Sequence, residues 1–178
     1  GQHYLFVYRA ERQQLIEYQQ DNLRQVTRSL SVGNPVEKAI KQMNLLTINL
    51  GYLYADPTND ELLDLQFQSA KNLANFLIDK CELHEQVFQD YLKQKHHFIL
   101  AQPALSSLFL MGILKNASLY NNAEIINLFL TSYFKDIGMS AIPTEKYDQE
   151  ELNEEEKILL AKHAHHSVEI LQGRTTLG

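Results

Sequence analysis

Apolar residues recur every three to four positions along nearly the whole chain, and that spacing fits little besides helices. Over 12–30 a polar stretch carries Leu15, Tyr18, Leu23, Val26 and Leu30 at roughly such intervals. Gly33 and Pro35 interrupt it, since glycine loosens the backbone and proline breaks the hydrogen-bond ladder. The pattern resumes over 36–54 with Ala39, Ile40, Met43, Leu46, Ile48 and Leu50. A DPTND turn follows, where Asn59 or Asp60 can cap the next helix, which carries Leu62, Leu63, Phe67, Ala70, Leu73 and Leu77. Another helix is predicted over 81–95, with Val87, Phe88, Tyr91 and Leu92 on one face. A break is expected around KHHFILAQP, then an apolar helix over 104–114 and a second over 123–135, both read as core. After the irregular IGMSAIPTEKYDQEEL, Asn153 and three glutamates open a last helix, because a capping side chain and then carboxylates meet the positive end of the helix dipole. That helix runs to about Leu171, and Gly173 ends it. Two-residue alternation is confined to HYLFVY at 3–8, the one candidate strand. The expected fold class is therefore all-α.

The 178 residues suffice for one core of ordinary size or two small ones. Polar amphipathic helices over 11–95 give way to the apolar pair over 104–134, which places a soft boundary near 94–97. The expected organisation is an N-terminal helical region, 1–95, of unassigned role, and a second region, 96–178.

Asp and Glu outnumber Lys and Arg by 22 to 16, and this acidic balance argues against nonspecific nucleic-acid binding, which needs a concentrated basic face. Cys81 is the only cysteine, so neither an internal disulfide nor a Cys-rich zinc site can form. A reducing, cytoplasmic compartment is expected. The apolar run 104–114 spans about 11 residues where a bilayer needs about 20, so no membrane span is expected. The opening GQHYLFVY is too short for a signal peptide and lacks a basic start. Glycine-rich phosphate loops and G-x-S-x-G elbows are missing. Cys81 and His84, three apart, would make a thiolate–imidazole pair only with a group to orient the histidine. His163 and His166 share a helix face at i, i+3, a spacing open to zinc or nickel. The plainer reading leaves His165 and His166 as solvent-facing or packed polar residues and His96 and His97 in a loop.

KDIGMSAIP, LNEEE and AKHAHHSVEIL follow one another over 135–171 with gaps that resemble the HD-GYP family of bacterial HD phosphohydrolases. Members carry HDIGKIAIP, then L-T-x-E-E, then K-x-H-P-x-x-G-x-x-I-L. Upstream, FILAQPALSSLFLMGIL is similar to the family's Y-T-Y-Q-H-S-x-x-V helix, and the 33 residues from Gln102 to Lys135 suit that match. The resemblance covers about 94–178 and implies an HD-domain-like helical bundle preceded by the N-terminal helices. The family's His-His-Glu and Gly-Tyr-Pro motifs would fall after Gly178.

In that family, His and Asp side chains hold iron or manganese ions, which activate water against a cyclic dinucleotide phosphodiester. By the resemblance, Asp136 stands at the bridging Asp and His163 at the next His ligand. Gln102 replaces the first His, Lys135 the His of the His-Asp pair, and Met139 the lysine near the substrate phosphate. Two of four metal positions are thus degenerate. Gln is a weak ligand, and Lys135 puts an ammonium where a cation should sit. The implied protein is a catalytically inactive regulatory or signalling domain without a cofactor. It would act through a protein partner or homodimer via its N-terminal helices, or by binding a cyclic dinucleotide. The alternative is an active cyclic-di-GMP phosphodiesterase or phosphohydrolase, with iron or manganese on Asp136, His163 and ligands beyond residue 178. A non-catalytic HD-like output domain shares the all-α fold and fits DIG-x-x-AIP less well.

Overall fold

Helices form wherever the apolar period runs between good caps. The computed structural model describes residues 8–143, 146–147 and 151–177, and among them every regular element is helical. A 3-10 turn at Arg9–Glu11 leads into α1, Arg12–Arg28. Helix α2, Pro35–Ala55, starts with a proline in its first turn, and the Asn34 side chain accepts from the amides of Val36 and Glu37. Asn59 caps α3, Asp60–Ile78, by accepting from Leu62 N. The all-α expectation holds. HYLFVY lies outside the described residues except for Tyr8.

The next two elements depart from the sequence reading. The predicted helix 81–95 begins as a tighter 3-10 turn, Cys81–Leu83, and only His84–Leu92 forms α4, with no side-chain cap at its start. Helix α5 covers Phe98–Ala117, not 104–114, and Pro103 lies inside it. The helix tolerates Pro103 because the missing N–H removes only the bond to the Ile99 carbonyl, while the His97 carbonyl accepts from Leu100 and Ala101 at 3.1 Å each. At 20 residues α5 is long and apolar enough to cross a bilayer by length and composition. It packs on α2, α4 and α6, Asn122–Phe134. The expectation that the pair is wholly core also needs correction. Helix α5 is apolar on every side and is covered on only part of its circumference. Phe98, Phe109 and Ile113 are 74%, 64% and 50% exposed, and the last two border an apolar groove of about 600 Å³ shared with α4.

Apart from Ile142, the buried apolar residues among those described form one cluster from Leu23 to Leu171, with members on both sides of 94–97. Helices α1, α2 and α3 pack together, and α3 lies against α6. At that contact Phe67 and Phe134 meet at 5.8 Å between ring centroids, and Tyr133 and Phe134 at 5.1 Å. Burying each such ring contributes about 1.5–3 kcal/mol. The core also holds polar groups that fix how the helices meet. Gln66 Nε2 donates to the Leu46 carbonyl (3.0 Å) and to Tyr133 Oη (2.7 Å), and its Oε1 accepts from Asn49 (2.7 Å). Burial pushes the Tyr133 phenol well above its ordinary pKa. Tyr91 shares a hydrogen bond with Thr47, and burial lifts its phenol to about 12 against the lowering effect of that bond.

The last helix, α7, covers Glu154–Leu171 and opens with a capping box in which Asn153 and Glu156 satisfy each other's backbone amides. Its main partner is the 3-10 turn Ile137–Ala141 that follows α6. Beyond its end, Arg174 Nε donates to Asp60 (2.6 Å) and its guanidinium to the Pro57 carbonyl (2.8 Å), tying the tail to the start of α3.

Candidate functional site

Helices α5, α6 and α7 meet at one corner, where four residues singled out in the sequence converge. Lys135 ends α6, and its ammonium pairs with Asp136 Oδ2. From α5, the Gln102 amide has its nitrogen 3.3 Å from Asp136 Oδ2 and its oxygen 3.2 Å from Lys135 Nζ, in the orientation that satisfies both neighbours. From α7, His163 Nε2 lies 3.5 Å from Asp136 Oδ1. His163 Nδ1 is 2.6 Å from the Leu160 carbonyl, so that nitrogen carries the proton and donates. The carboxylate is 19% exposed and the Lys135 side chain 44%, so the pair is partly screened by water.

Three further residues set this geometry, and the sequence reading gave none of them a role at the site. Gly138 lets the 3-10 turn lie directly on the backbone of α7, since a Cβ there would come 2.0 Å from the His163 carbonyl oxygen and 2.6 Å from Ser167 N. Ser167 is buried and pins the same contact. Its Oγ accepts from Gly138 N (2.8 Å) and donates toward the carbonyls of Lys135 (2.7 Å) and His163 (2.9 Å). The available signal for Ser167 was weak: a small residue four after His163, on the same helix face. Tyr54 donates from α2 to the Asp136 carbonyl oxygen at 3.1 Å, and burial, then Tyr147 and Asp136, raise its phenol pKa.

Met139 does not join the cluster. It packs on the core beside a cavity of about 240 Å³ that Phe98, Ile142, Leu160 and Lys146 also line. Lys146 is within 3.2 Å of Glu156 Oε1. The other candidates disperse. His165 lies 3.2 Å from Glu169 on the exposed face of α7. Cys81 donates to the Ile78 carbonyl, while His84 Nε2 sits 2.7 Å from the Leu77 carbonyl, so each has its own backbone partner. His96 and His97 are in the loop before α5, as expected, yet both are half-buried. His96 Nε2 is 2.7 Å from Asn44 Oδ1, its ring packs on Tyr91, and burial lowers its pKa.

As a metal centre the corner has a poor donor set. Asp136 and His163 are suitable ligands, Gln102 is a weak one, and an ammonium has no lone pair to give. Among the described residues no three His, Cys, Asp or Glu side chains gather closely enough to hold an ion. Iron or manganese does not fit these residues. No protein-family model, curated protein or solved structure matches this chain.

Proposed function

We propose that the chain is a catalytically inactive HD-GYP-like regulatory domain, working through protein contacts or by holding a cyclic dinucleotide without cleaving it. One observation carries the reading: Gln102, Lys135, Asp136 and His163, which the resemblance assigns to metal ligation, gather at one corner, and there the Asp136 carboxylate is matched by a lysine. On this reading Gly138 of the DIG triplet is retained at the packing contact, while two of the four positions that would ligate a water-activating metal are changed. Protein contacts would use the outer faces of the N-terminal helices. A nucleotide would lie by the cavity beside Met139, where a thioether has replaced the phosphate-facing cation of the family.

Calorimetry with cyclic-di-GMP separates the two modes. Saturable, metal-independent binding with no loss of the nucleotide is expected of a sensor. No heat at high ligand sinks the sensor mode and leaves the protein-contact mode. Hydrolysis of the nucleotide would overturn the reading as a whole.

A further inference from the structure

Both oxygens of the Asp136 carboxylate face nitrogen. On one side lies the Lys135 ammonium, which also reaches the Gln102 amide oxygen at 3.2 Å. On the other, His163 points Nε2 at Oδ1 from 3.5 Å, its tautomer set by the bond from Nδ1 to the Leu160 carbonyl. A carboxylate, an imidazole nitrogen and an amide turned toward one point form the beginnings of a cation site. The cation found there is a side chain of the same protein. A divalent ion against Asp136 would sit within a few ångströms of that ammonium, and like charges so close repel strongly in a partly desolvated corner.

We infer that Lys135 is a built-in cation, whose ammonium takes the place of a metal ion against Asp136, closes the corner of α5, α6 and α7, and bars an ion from binding. Closure of the corner is then independent of metal supply. The inference rests on the HD-GYP-like reading for the notion that this corner would take an ion at all. Its test reads ion binding alone, so its failure and a failure of nucleotide binding are told apart.

The experiment titrates manganese(II) into the full chain, with calorimetry and thermal melting as readouts, for the wild type, Lys135→His, and Lys135→His combined with Asp136→Asn. The wild type should take up no ion in a saturable way, and its Tm should not respond. Lys135→His should bind one ion per chain and gain about 4 °C or more in Tm at saturation. Adding Asp136→Asn should cancel both effects. Ion binding by the wild type that Asp136→Asn removes would overturn the inference, as would a folded Lys135→His chain that binds no ion. If Lys135→His does not fold, Lys135→Gln serves: its Tm should rise with manganese, and a folded Gln variant indifferent to the ion contradicts the proposal.

Discussion

At Gly138 the space for a side chain is filled by the backbone of α7, 2.0 Å from where a Cβ would be. Backbone atoms cannot rotate aside as a flexible side chain would, so Gly138→Ala must lift the 3-10 turn off the helix. It should cost about 3 kcal/mol or more, read from urea unfolding, and a loss under about 1 kcal/mol would show that the two segments separate freely. The sequence marks Gly138 only through the DIG triplet, and Ser167 hardly at all, because their partners lie 25 to 32 residues away along the chain. Asn59 and Asn153 were legible because a cap acts on amides two or three positions on. His96 gives a pH prediction. Its folded pKa is lowered by burial, so the unfolded chain binds the proton more readily. Its share of stability is complete above the unfolded value of about 6.5 and is lost as pH falls through the lowered folded one. His96→Gln should flatten the dependence of the urea midpoint on pH between about 7.5 and 5. Equal slopes for the two proteins would mean that the ring titrates alike in both states.

Helix α7, like α1, has few buried residues for its length. Its buried residues are Glu156, Ser167 and Leu171, and it leans mainly on the Ile137–Ala141 turn, while α2 and α3 are buried along most of their length. Amide hydrogen exchange should therefore be faster in α7 than in α2 and α3, and equal protection would place α7 in the same cooperative unit. Element by element, the apolar period located α1, α2, α3, α6 and α7 to within a few residues. It misplaced the start of α5 because Pro103 reads as a stop, whereas within the helix it forfeits a single hydrogen bond. It overextended α4 because the 3-10 turn at Cys81–Leu83 has no pattern of its own. The exposed face of α5, with Phe109 and Ile113, was illegible for a related reason. A helix apolar all round does not say which side its neighbours leave bare.

Taken whole, the molecule wraps one core that joins the N-terminal helices to α6 through Phe67, Phe134 and the Gln66–Tyr133 bond. The composition shift near 94–97 falls between residues of that same cluster. Gln102, Lys135, Asp136 and His163 were legible by type and order, and the corner they form follows from the folding of α5, α6 and α7. What they do together depends on charge: an ammonium lies against the Asp136 carboxylate, where an ion would have to sit. The central claim, inactivity at that corner, is tested most directly by incubating the full chain with cyclic-di-GMP and excess manganese(II) and following linear product. No product above a protein-free control is predicted. Linear dinucleotide that accumulates with the wild type and disappears with Asp136→Asn would contradict the account.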